Sequence, residues 1–221
     1  MPKSITILTF HGIGEPDRAL DPGEADVWVS HAEFLAILDR IAGRDDVRVT
    51  FDDGNASDVE LGLPALTARG LHATFFIVAG RLGVPRFVDE AGVRRLMAAG
   101  MDIGSHGMRH RPWRGLDDRA LDEELRQAKT ALEDVVGRPV TRAACPFGAY
   151  DRRVIRTARD AGFQHVYTSD RGTTQLADFV QARNSIGPGD TPGVMERIAG
   201  LEASLPRLLT HRAKLALKRW R

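Results

Sequence analysis

Val47-Arg48-Val49-Thr50-Phe51-Asp52-Asp53-Gly54 is a short β-branched, apolar run that ends in two adjacent acids and a glycine. It reads as a strand over Val47 to Phe51, with Asp52 and Asp53 at its C-terminal end. Asp-Asp-Gly is also an ordinary turn, since Asp and Gly favour turns unaided. Behind an apolar strand, however, two like charges side by side push one carboxyl upward and create a candidate base.

The pattern alternates in both directions from this stretch. Toward the N-terminus, Ile5 to Phe10 reads as a strand and Gly12 to Asp26 as a loop. Between them and Val47, Phe34, Leu35, Leu38 and Ile41 recur at helical spacing behind a Ser30 N-cap. Toward the C-terminus, a helix over Ser57 to Arg69 stops at Gly70, and Ala73 to Val78 is a buried strand. Glu90 to Ala99 is helical, and Met101 to Gly104 is a short strand. Leu121, Leu125, Ala128 and Leu132 form the apolar stripe of a long helix capped by Asp117. Arg142 to Cys145 and His165 to Thr168 are strands around a helix over Asp151 to Ala161. Strands alternating with helices imply a parallel sheet with its chemistry where strands end. The economical architecture is an α/β fold closed as a parallel (β/α) barrel, with the site at its C-terminal rim.

The chain has 221 residues, 43% of them hydrophobic, enough for one sizeable core. No repeat, low-complexity tract or dividing linker interrupts it. The expected organisation is a single domain over 1–205 followed by a basic tail or helix over 206–221. A formal net charge of +1 supplies no global field for nucleic acid. One cysteine, Cys145, excludes an intrachain disulfide framework and fits a reducing compartment. The apolar run before His11 is short and β-like, unlike a signal peptide. No run approaches the roughly 20 apolar residues of a membrane span. A soluble, cytoplasmic protein is the expectation.

The second informative stretch is Ser105-His106-Gly107-Met108-Arg109-His110. On a helical turn, histidines four apart share a face and reach one ion. One Asp and both histidines can ligate a divalent metal, while the other Asp serves as base to a metal-activated water. The constellation points to a metal-dependent hydrolase.

Three motifs taken in order then resemble the polysaccharide deacetylase family, the NodB-homology domains of carbohydrate esterase family 4. They are Thr50-Phe51-Asp52-Asp53-Gly54, His106-Gly107-Met108-Arg109-His110, and Cys145-Pro146-Phe147-Gly148-Ala149-Tyr150-Asp151. Leu8-Thr9-Phe10-His11-Gly12 looks like the opening strand of longer members, and the likeness runs from about Ile5 to Arg183. The resemblance implies a distorted parallel barrel with fewer strands than the eight-stranded form. It implies Asp52 as general base, and Asp53, His106 and His110 as ligands of one divalent metal. Zn2+ suits that set, as do Co2+, Ni2+, Fe2+ and Mn2+. The implied reaction is removal of an N-acetyl group from a sugar or glycan precursor. A backbone N–H near Cys145 to Phe147, or Tyr150, helps polarise the carbonyl oxygen.

The chain also departs from the family pattern. Gly107 stands where many members carry Ser or Thr. Ala144 stands where an arginine usually orients the base; Arg183 is the candidate replacement, with a surface ion pair as the alternative. The late Leu-x-His motif that carries the general acid is matched only by Leu209-Thr210-His211, inside the basic tail. His211 and His11 are therefore both candidates for the acid. Pro146, Phe147, Tyr150 and Trp113 are candidate substrate contacts, with packing as the other reading of the aromatics. The tail, with its leucines, Trp220 and six basic side chains, is either a helix on the barrel or a weak contact with an anionic membrane surface. A deformylase or another C–N amidohydrolase would use the same residues. A non-catalytic sugar-binding descendant is the competitor from another class.

Overall fold

The computed structural model describes residues 4–190 together with Gly193 and Val194. Strands β1 (Ser4–Phe10), β2 (Val47–Phe51), β3 (Ala73–Ile77), β4 (Asp102–Ser105), β5 (Arg142–Ala144) and β6 (His165–Thr168) pair in parallel in that order around the sheet. Three short strands complete it: β7 (Thr173–Gln175), β8 (Val180–Ala182) and β9 (Asn184–Ser185). β8 lies parallel to β6, and β9 lies parallel to the second half of β1. β7 pairs antiparallel with the first half of β1. β8 and β9 are consecutive pieces of one segment that changes neighbours at Arg183, so this bend nearly closes the sheet into a barrel. Because those two pieces count as one strand, the barrel has fewer strands than the eight-stranded form.

Helices cover the outside: α1 (His31–Ile41), α2 (Leu63–Thr67), α3 (Glu90–Ala98), α4 (Asp118–Asp122), α5 (Ala128–Val136) and α6 (Arg152–Asp160). Alternation along the strands decides which side chains they meet. Phe10, Phe51 and Phe75 stand on neighbouring strands and face outward, Phe51 and Phe75 stacked at 4.6 Å between ring centroids. Phe34 of α1 closes edge-on over Phe10 at 4.9 Å. Removing this apolar surface from water, at roughly 25 cal/mol per Å², fastens helix to sheet. The intervening residues face the barrel interior, where the hydroxyls of Thr9 and Thr50 lie 2.9 Å apart. One step further along, the same alternation turns His11 and Asp52 toward the C-terminal rim.

Three elements differ from the sequence expectation. The helix over 57–69 opens with a wide π-type stretch, Asp58–Gly62, before α2. Pro64 has no N–H for the carbonyl one turn back, and the preceding turn widens accordingly. A similar stretch, Glu123–Gln127, joins α4 to α5. The loop after β1 contains a small parallel pair, Gly12–Ile13 with Trp28–Val29. Among the described residues no helix is long and apolar enough to cross a membrane. The tail, including His211 and its membrane reading, lies outside the described residues.

Candidate metal centre and catalytic cleft

β2 delivers the acidic pair. The Asp52 N–H extends the ladder to the Phe10 carbonyl at 2.9 Å, and the chain then turns through left-handed Asp53 at φ 75°. β4 delivers His106, whose N–H donates to the Ile77 carbonyl at 2.8 Å. His106 Nδ1 lies 2.9 Å from the Ala144 carbonyl, which can only accept, so Nδ1 carries a proton and Nε2 is the ring atom turned toward Asp53. His110 arrives by a different route from the helical turn read in the sequence. Residues 106–110 form a loop in which Gly107 takes φ 81° and His110 φ 52°.

That loop brings His110 Nε2 to 3.0 Å and His106 Nε2 to 3.5 Å from Asp53 Oδ1. The three ligand atoms lie within 4.8 Å of one another. Asp53 Oδ1 is buried without a hydrogen-bond partner. An orphaned carboxylate oxygen facing two imidazole Nε2 atoms is the donor set a divalent cation completes once those nitrogens are deprotonated, so these residues fit the metal.

Asp52 is held from below. Arg183, at the barrel's closing bend, donates from Nη1 to Asp52 Oδ1 at 2.6 Å and from Nη2 to Oδ2 at 2.7 Å. It also donates to Thr50 Oγ1 at 3.3 Å, and its guanidinium lies over the Phe76 ring, 5.1 Å from the centroid. Arg183 is 1% exposed, so the bidentate pair is dry. Across the cleft, His11 Nε2 is 3.9 Å from Asp52 Oδ2.

Burial opposes ionisation of both acids but does not prevail. The Arg183 and His106 charges hold the Asp52 carboxyl below its ordinary range. The His106 and His110 imidazoles close beside it hold Asp53 well below it. Burial lowers His11 despite both aspartates, so it is neutral near pH 7.

A cleft of about 620 Å³ opens above these groups, lined by His11, Asp52, Asp53, His106, His110 and Phe147 among others. Phe147, 64% exposed and 4.8 Å from the His110 ring, offers the cleft an apolar face. The loop after β1 supplies the opposite wall through Asp21, Pro22, Gly23, Glu24 and Val27.

Three sequence-predicted contacts lie elsewhere. Trp113 is fully buried, and its indole N–H donates to Glu124 Oε2 at 3.3 Å. Tyr150 is fully buried, and its hydroxyl donates to Asp170 at 2.6 Å. Stacking on a sugar needs an open ring face, so both aromatics are packing residues. Pro146 is buried and is not among the residues that line the cleft. The sequence reading missed the wall loop and Glu124. An acid three residues after Leu121, on that helix's apolar stripe, was the signal for the latter.

The family model of polysaccharide deacetylases matches residues 39–166. YxkH of Bacillus subtilis (strain 168), a polysaccharide deacetylase by name, is 23% identical over 204 residues, covering 85% of this chain and 73% of that protein. A chitin deacetylase of Pestalotiopsis sp is 27% identical over 158 residues, covering 68% of this chain and 52% of that protein. The Streptococcus pyogenes deacetylase PplD, solved in complex with acetate, shares the fold at a TM-score of 0.76 and 19% identity, covering 90% of this chain and 99% of that one. With the family model spanning more than half of the 221 residues, the chain belongs to the polysaccharide deacetylase family.

Proposed function

We propose that the protein is a metal-dependent hydrolase that removes the N-acetyl group of an amino sugar in a glycan or glycan precursor. The observation that carries this reading is the convergence of Asp53, His106 and His110 on one point, with a separate ionised carboxylate, Asp52, at its edge. When bound there, a divalent ion of the Zn2+ type supplies Lewis-acid polarisation and acidifies water. Asp53, His106 and His110 would hold it.

The chain's own groups do the rest. Asp52, kept anionic by Arg183, accepts a proton from the attacking water across the neutral range. Arg183 also fixes the carboxylate plane, because two parallel hydrogen bonds leave it no free rotation. His11, neutral and facing Asp52 across the cleft, is the described candidate to relay to the leaving amine the proton that Asp52 has taken from water. Phe147 packs against a sugar face while the wall loop excludes water. The family and the named activities of the relatives support an N-acetylated sugar as the substrate class. A purely sugar-binding descendant would have no use for the buried Arg183–Asp52 pair, which costs desolvation and ligates nothing.

The test is acetate release from a panel of N-acetylated sugars and oligomers, using Zn2+-loaded protein beside its Asp52→Asn variant. Release by the wild type that falls by about 10²–10⁴ in a variant still holding metal supports the reading. No release from any member at full metal occupancy overturns it.

A further inference from the structure

The loop carrying His110 is gripped on both faces. From one side, the backbone N–H groups of Ala79 and Gly80 donate to the carbonyls of Gly107 at 2.9 Å and Met108 at 3.0 Å. From the other side comes Glu124, fully buried between α4 and α5. Its Oε2 accepts from the Met108 N–H at 2.9 Å and the Trp113 indole N–H at 3.3 Å. Its Oε1 accepts from the Arg109 N–H at 3.1 Å and Arg111 Nε at 2.9 Å. One carboxylate thus gathers two consecutive backbone N–H groups and two side chains, all within the seven residues that follow His106.

The grip has a physical task. His110 is a non-glycine residue at φ 52°, a strained conformation that persists only when its surroundings over-determine it. Released, the loop would relax and carry the imidazole away from Asp53. Gly107 is the counterpart of the grip. A Cβ there would stand 2.2 Å from Glu124 Oε2, on a backbone at φ 81°. The glycine that departs from the family's usual Ser or Thr is the residue that lets the carboxylate approach.

We propose that Glu124 is a positioning residue that sets the metal affinity of the site by holding residues 107–113 in the ligating conformation. This rests on the metal-dependent reading above. Glu124 touches neither metal nor substrate, and it acts on His110 through the backbone. The neighbouring Glu123 pairs with the side chains of Arg109 and Arg111 and, among the described residues, accepts from no backbone N–H of the loop.

The experiment uses the full chain, stripped of metal and titrated with Zn2+ against a chromophoric chelator. Glu124→Gln sets an amide NH2 against N–H donors. Gly107→Ala pushes the carboxylate back while keeping its charge. Both are expected to weaken Zn2+ binding by roughly tenfold or more, the usual cost of losing an outer-shell partner. Glu123→Gln should leave it unchanged. Melting with and without Zn2+ separates positioning from packing. A positioning defect shrinks the rise produced by a fixed Zn2+ concentration, and more Zn2+ restores it. A packing defect lowers both temperatures equally. If Glu124→Gln does not fold, Gly107→Ala carries the test. Wild-type Zn2+ affinity in either folded variant, or equal lowering of both temperatures, overturns the proposal. A wild-type protein that takes up no Zn2+ overturns the functional reading, and the proposal with it.

Discussion

Two buried acids at neighbouring depths illustrate how a single residue's surroundings decide its charge. Asp52 is 3% exposed and ionised because a bidentate arginine meets it. Asp58 is 1% exposed, and neither of its oxygens accepts a hydrogen bond of normal geometry. Burial pushes its carboxyl well above the ordinary range, the charges of Asp53 and Asp52 push further, and the Asn55 backbone N–H offsets little. Folding therefore takes up a proton at Asp58 between its unfolded value and its raised folded one. The unfolded state binds fewer protons there, so this acid costs stability progressively as pH rises above about 4. Asp58→Asn should remove that dependence, gaining on the wild type by about 1.4 kcal/mol per unit of displacement. Urea unfolding at several pH values between 4 and 8 measures it, and a gap that does not widen with pH would contradict the assignment. At this scale the sequence was legible where spacing carries chemistry: Asp52, Asp53, His106 and His110 announce themselves as strand-end motifs. Arg183 was legible only as a substitute for the residue absent at Ala144, because no local pattern says where a strand 131 positions away will dock. Glu124 and Asp58 were illegible, since burial of an acid leaves no mark in the letters beyond its place on an apolar stripe.

At the scale of elements, caps and strand ends followed local rules, while loops did not. Ser30 accepts from the Glu33 N–H at 3.2 Å, and Glu33 returns the bond to the Ser30 N–H at 3.1 Å, so α1 begins where its capping box places it. Asp117 and Asp151 cap their helices in one direction, accepting from the Ala120 and Val154 N–H groups. The histidine loop and the wall after β1 take their shape from tertiary partners, which spacing arguments cannot see. Arg18 is the organiser of that wall. It pairs with Glu24, donates to Asn55 Oδ1 at 2.7 Å, and lies over the Phe87 ring at 4.8 Å. Arg81 covers the other flank of the loop, stacking on Phe87 and donating to Asp21 at 2.7 Å. Because the loop lines the cleft without reaching the acids of the site, loosening it should cost binding rather than chemistry. Arg18→Ala is expected to raise KM by about tenfold with kcat within about twofold on whichever N-acetylated sugar is cleaved. A matching fall in kcat at constant KM would mean that the loop acts in the transition state instead.

The barrel as a whole is drawn together at two places, and both belong to the site. At one, the segment over 180–185 changes partners, pairing with β6 before Arg183 and with β1 after it. The Arg183 N–H stays on the Thr168 carbonyl at 3.0 Å while its side chain crosses the interior to Asp52. Closing the sheet and charging Asp52 are therefore one event, carried by a residue 131 positions away in the chain. At the other, Asp53 follows β2 while His106 and His110 follow β4, so one ion would tie two strands separated by β3. A ligand bound only by the folded chain stabilises it by mass action, about 2.7 kcal/mol at a hundredfold excess over its dissociation constant. For a chain of this size that corresponds to a rise in melting temperature of roughly 5–10 °C. EDTA-stripped protein should accordingly melt lower and regain its midpoint on adding Zn2+. Asp53→Asn should abolish the rise, because it removes a ligand and leaves two imidazoles. Asp52→Asn should retain it, because Asp52 is argued to hold a proton and not the ion. The reverse ordering of these two variants would exchange their roles, and with them the whole assignment of ligand and base.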